Sequence, residues 1–182
     1  MATDIQKLMG QEFLKYKVNN LENKVKDKSI YLVDITSLIF GLNVIKLWLK
    51  DGYTIYIPLY TIYSLDELKQ SDNIKLEKLS RSASSFIEKE LNKRKLHLQS
   101  IEYNNNDNHF DKIKKSLSQF NNQTQLVIAT PTIETNYTFF DIKNIESSLN
   151  TTGYPINHLL PAEIEEANLY FKQKKLNKYK NN

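Results

Sequence analysis

Apolar residues recur along this chain with two periods, and the switching between them lays out an α/β domain. Over residues 5–25, Ile5, Leu8, Met9, Phe13, Leu14, Val18, Leu21 and Val25 fall mostly three or four positions apart, the spacing that lines one face of a helix. At residue 29 the pattern changes. Ile30, Tyr31, Leu32 and Val33 form an unbroken apolar run suited to a strand covered on both faces, and Asp34 ends it. Leu42, Ile45, Trp48 and Leu49 then share a helical stripe, and Gly52 stands where a helix needs a left-handed stop. Residues 53–57 read as a second strand, finished by Pro58, which has no N–H to give to a ladder.

A helix follows directly over 60–69. Asp72 or Asn73 caps a longer one, whose buried face is Leu76, Leu79, Ala83, Phe86, Ile87 and Leu91, with Lys93, Arg94 and Lys95 at its negative end. Residues 96–101 alternate as a third strand does, and 104–108 make a polar, turn-prone loop. Phe110, Ile113, Leu117 and Phe120 mark another helix, and 126–129 a fourth strand. Beyond these, the pattern predicts a helix over 139–149, a short fifth strand over 154–156, and a last helix opened by Pro161 and running through Lys175.

Strands separated by helices imply parallel pairing and right-handed crossovers. The expected architecture is one α/β domain over 29–160, a mostly parallel sheet of 4–5 strands with helices on both faces. Residues 1–28 form an N-terminal helical extension, and 161–182 a C-terminal helix with a Lys-rich tail. The extension is expected to pack on the domain; the alternative is a helix that holds another protein.

A length of 182 residues suits a single domain with a real core, and 40% hydrophobic with 25% charged residues is a globular balance. No apolar run approaches a bilayer span and no secretory leader is recognisable, so a soluble, cytoplasmic protein with no membrane partner is expected. The absence of cysteine excludes disulfides and thiolate zinc sites. Net charge is +4, and Lys172, Lys174, Lys175, Lys178 and Lys180 alone exceed that surplus, so the basic character belongs to a tail that reads first as a solvated terminus.

Three stretches carry a resemblance. The strand ending in Asp34, the strand end at Ile57 and Pro58, and the helix bearing Ser64, Leu65, Asp66, Glu67 and Leu68 together resemble the PIN-domain family, over residues 29–129 and more weakly to 156. That family gathers three or four carboxylates where parallel strands end, and they hold divalent metal for phosphodiester hydrolysis. By this resemblance Asp34 matches the first carboxylate and Asp111 the third. Ser64 stands where the family has Glu, and Thr132 where Thr130, Pro131 and Thr132 replace the usual pattern ending in Asp. A hydroxyl is a weak, uncharged ligand for a hard cation. The resemblance therefore implies a degenerate, noncatalytic site with Asp34 and Asp111 as vestigial metal ligands, no resident cofactor, and at most weak Mg or Mn binding.

Each of these residues also has a plain structural reading. Asp34 serves as the cap of the following helix, and Asp111 as an acidic charge favoured at a helix start. Trp48 at helical spacing reads as core, and His97, His109 and His158 show no ligand spacing. Within the family, residues 41–48, the end of the second strand and the long Ser- and Ala-bearing helix look most like the small fungal accessory factors of nonsense-mediated mRNA decay. That likeness implies a protein that binds the RNA helicase of nonsense-mediated decay, with weak RNA contact through Lys-rich surfaces. Two alternatives stand beside it: a metal-dependent endoribonuclease using Asp34, Asp111 and a nonstandard acid such as Asp66 or Glu134, and an interaction scaffold outside RNA biology.

Overall fold

The computed structural model describes Gln11 and residues 29–91, 93, 96–120 and 124–181. Apart from Gln11, the helix expected over 5–25 lies outside the described residues, as do Arg94 and Lys95.

Elements run in the order β1 (Ile30–Val33), α1 (Ile35–Phe40), α2 (Leu42–Lys50), β2 (Thr54–Pro58), α3 (Leu59–Leu68), α4 (Ile74–Glu90), β3 (Leu96–Gln99), α5 (His109–Ser118), β4 (Thr124–Ala129), a 3-10 turn (Thr138–Phe140), α6 (Ile142–Asn150), β5 (Ile156–Leu159) and α7 (Pro161–Lys180). The strands form one five-stranded sheet in the order β3-β2-β1-β4-β5, and every pairing is parallel. The α/β architecture read from the sequence is therefore present, with the sheet parallel throughout.

Alternation along the strands divides the interior in two. Tyr31, Val33, Ile55, Ile57, Val127 and Ala129 face one core, joined by buried residues of α1, α2, α4 and α7. Leu32, Leu126 and Ile128 face the other, against Ile113 and Leu117 of α5 and Ile142, Ile145 and Leu149 of α6. A parallel sheet needs such cover on both faces, because its crossover helices must bury their own apolar stripes on it.

Local signals behave as their chemistry requires. Gly52 takes φ 90°, and Asn73 caps α4 by accepting from the N–H groups of Lys75 and Leu76. Trp48 packs on the first core, its ring 4.7 Å from that of Tyr31. Elsewhere the structure departs from the pattern. The third strand stops at Gln99 and does not bury alternate residues: Leu98 is exposed and Gln99 buried, its Nε2 donating to the Ser116 carbonyl at 2.9 Å. β3 is the edge strand, and α5 reaches it through this Gln99–Ser116 bond.

The single helix expected over 139–149 is divided at Asp141, which caps α6 through the Asn144 N–H. The fifth strand begins where it was expected to end, at Ile156, because Gly153 takes φ 76° and Pro155 has no N–H for a ladder. The last helix continues past Lys175 to Lys180. Among the described residues, no helix is long and apolar enough to cross a membrane.

Candidate functional site

In an open parallel sheet the chain leaves β1 toward β2 on one side and later returns to β4 on the other, so a crevice opens beyond the strand ends between β1 and β4. Asp34 is the first residue beyond β1 and sits at that point, its N–H bonded to the Val127 carbonyl of β4 at 3.1 Å. The crevice is filled. Asp34 has no solvent exposure, and each carboxylate oxygen is engaged by the protein.

Oδ2 of Asp34 accepts from the Thr36 N–H at 3.3 Å and from the Thr36 hydroxyl at 3.2 Å, the first being the cap of α1. Thr36 Oγ1 in turn accepts the Ala129 N–H at 3.1 Å, tying the cap to the end of β4. Ser37 adds a second tie, its hydroxyl lying 2.8 Å from the Asp34 carbonyl and 3.0 Å from the Val127 carbonyl. The turn after β1 is thus stitched to its neighbouring strand by side-chain hydroxyls, which replace the water a surface crevice would supply.

Oδ1 of Asp34 accepts from the Tyr60 hydroxyl at 3.2 Å and lies 3.3 Å from Nε2 of His109. That ring nitrogen is buried without a well-aligned hydrogen bond. Tyr60 enters from α3 and His109 from the first position of α5, their rings edge to face at 5.1 Å, with Phe139 packed 5.9 Å from the imidazole. Burial pushes the Tyr60 phenol well above the usual tyrosine value, and the Asp34 charge pushes it the same way. Tyr60 therefore stays protonated and acts as a donor.

The other positions singled out by the sequence do not join this group. Ser64 is buried on α3, and its hydroxyl donates to the Tyr60 carbonyl one turn earlier at 2.9 Å, a bond within its own helix. Asp111 belongs to the capping box of α5: its Oδ2 accepts the Asn108 N–H at 3.2 Å while its own N–H donates to Asn108 Oδ1 at 2.8 Å. Its carboxylate also lies 3.7 Å from Lys114 Nζ. Thr132 and Glu134 are exposed on the loop after β4, and Asp66 is exposed and paired with Lys69 at 3.0 Å.

Among the described residues, no three His, Cys, Asp or Glu side chains are grouped so as to hold a metal ion. A divalent hard cation takes six or more oxygen ligands. A lone shielded carboxylate whose oxygens already accept from Thr36 and Tyr60 does not match that cage.

Tyr60 and His109 are the members that sequence reasoning missed. Tyr60 is 26 residues from Asp34, and its only local signal was its place one turn before Ser64 on α3. His109 has no ligand spacing in the sequence; its one signal is its position next to the Asn108 cap, as the first residue of α5. The remaining histidines have other roles. His158 Nδ1 lies 2.7 Å from Glu146 and its Nε2 2.8 Å from the Thr130 hydroxyl, and the His97 ring packs 5.0 Å from Tyr56.

Comparison with known proteins gives one family. The family model described as PIN domain matches residues 25–136. Among solved structures, the PIN domain of human SMG5 aligns with 18% sequence identity and a TM-score of 0.44, covering 78% of this chain and 98% of that one. No curated protein matches the chain.

Proposed function

The chain belongs to the PIN domain family, and from that premise we propose that it is a catalytically degenerate member acting by binding, as an accessory protein that docks on the RNA helicase of nonsense-mediated mRNA decay in the cytoplasm. The observation that carries the noncatalytic half is the state of Asp34. Hydrolysis by a PIN-type site needs a carboxylate cluster open to metal, water and substrate; here the carboxylate at the strand end has no solvent exposure and is capped by Tyr60, Thr36 and His109. Ser64 and Thr132 add no charge, so the site lacks both the access and the negative potential that the chemistry demands.

The partner half rests on the sequence resemblance carried by residues 41–48, the Ile57 and Pro58 strand end and α4 to fungal decay accessories. Tagged protein purified from cells after ribonuclease treatment should recover an RNA helicase of the decay machinery, and recovery of none would overturn the reading. For the noncatalytic half, purified protein is incubated with single-stranded RNA and manganese beside Asp34→Asn. Equal, background-level cleavage is expected; cleavage by the unaltered protein alone would favour the endoribonuclease.

A further inference from the structure

Away from the strand ends, α2, α4 and α7 enclose a groove of about 670 Å³. Lys46 and Lys50 reach it from α2, Arg81 and Lys89 from α4, and Lys174 from α7, while Glu90 is the one carboxylate lining it among the described residues. Arg81 is partly offset by Glu77, 2.9 Å away on the same helix. Lys46 is half-buried on the floor, its ammonium 5.7 Å above the Phe86 ring and 5.6 Å from the Phe171 ring. Burial, then the nearby charges of Lys175 and Lys89, hold that ammonium below the usual lysine range. The fold thus holds the half-buried Lys46 ammonium among the exposed cations that rim the same concavity, an arrangement that a bound anion relieves.

We propose that this groove binds the phosphates of single-stranded nucleic acid, with a base resting against Phe171. Cations interleaved with an accessible ring are what sequence-tolerant single-strand binding uses. The hydroxyl-bearing Ser82 and Ser85 on the α4 wall leave room for a backbone to approach. An acidic peptide is a poorer occupant. Extended peptides draw much of their affinity from main-chain hydrogen bonds, and helical walls spend their backbone groups internally. This site lies apart from Asp34 and goes beyond the helicase reading, because it is tested on the protein alone.

The experiment measures fluorescence anisotropy of a labelled oligouridylate of about 15 nucleotides against the full chain across a salt series. Exposed Lys89 and Lys174 are replaced together as Lys89→Glu with Lys174→Glu, Lys46→Gln is made separately, and Lys178→Glu with Lys180→Glu alters equal charge outside the groove. Expected are binding that weakens steeply with salt, a loss on the order of tenfold or more in the groove double variant, a smaller loss in Lys46→Gln, and little change in the tail variant. Thermal melting checks that each variant is folded. Three results would overturn the proposal: unchanged binding in the folded groove variants, an equal loss in the tail variant, or displacement of the RNA by polyglutamate of equal charge as effectively as by unlabelled RNA. Helicase recovery by the groove variants, scored in parallel, separates this outcome from that of the accessory reading.

Discussion

Nε2 of His109 lies 3.3 Å from Oδ1 of Asp34, at a carboxylate with no exposure to solvent. In this position the imidazole closes the crevice at the end of β1, with the Tyr60 hydroxyl on the same oxygen. Asp34 therefore serves the fold: it caps α1 and satisfies Tyr60. Asp34→Ala leaves the Tyr60 hydroxyl and the Thr36 N–H without their acceptor and should cost about 2–4 kcal/mol. Asp34→Asn keeps one acceptor oxygen and should cost less. Urea unfolding of the three proteins measures both, and an alanine variant as stable as the parent would contradict this role.

Tyr60 predicts how stability depends on alkaline pH. Its folded pKa is raised above the ordinary value of about 10, first by burial and then by the Asp34 charge. The phenol therefore contributes stability that is fully present below about pH 10 and is lost as pH climbs from there toward the raised folded value, since the unfolded chain ionises first. Thermal melts between neutral pH and pH 11 should show this decline, and Tyr60→Phe should flatten it. At neutral pH the same substitution should cost about 1–2 kcal/mol by removing one donor from Asp34.

Restoring the missing charge should not restore a metal site. Ser64 is only 7% exposed and its hydroxyl is spent on the Tyr60 carbonyl one turn earlier, so Ser64→Glu forces a carboxylate into a largely buried position and should destabilise the fold by about 2–4 kcal/mol. Manganese added during a thermal shift assay should not recover the loss. A manganese-dependent rise in melting temperature confined to this variant would mean that the crevice opens to ions.

Gly41, between α1 and α2, tests the packing that brings β5 against this corner. A Cβ there would stand 2.6 Å from Cδ1 of the buried Leu159 and 3.1 Å from the Ser37 carbonyl oxygen. Neither neighbour is free to retreat, because Leu159 is fully enclosed and the Ser37 carbonyl is backbone of α1. Gly41→Ala should therefore cost about 1–3 kcal/mol, read as a lowered urea midpoint, although its φ of −133° suits any residue.

Periodicity places most of the elements whose residues depend on near neighbours. The run from Ile30 to Val33, the stop at Gly52, the Asn73 cap and the stripe through Leu76, Ala83 and Ile87 needed only short-range sterics and one buried face. It slipped where a remote element settled the outcome. Gln99 is buried because Ser116 of α5 offers a carbonyl; the later start of β5 is instead a local matter, since the turn at Gly153 and Pro155 has to finish first.

The candidate site divides the same way. The chain on its own points to a parallel α/β domain with an acid at the end of β1, because residue type and spacing are enough to state that much; that the hydroxyls of Ser64 and Thr132 stand where further acids would be expected is what the resemblance to the PIN-domain family implies. Only the tertiary structure decided what that acid does. Whether Asp34 meets water and cations or Tyr60 and His109 depends on how α3 and α5 cross the sheet, and the close packing of those crossovers is a property of the assembled layers that no local pattern encodes.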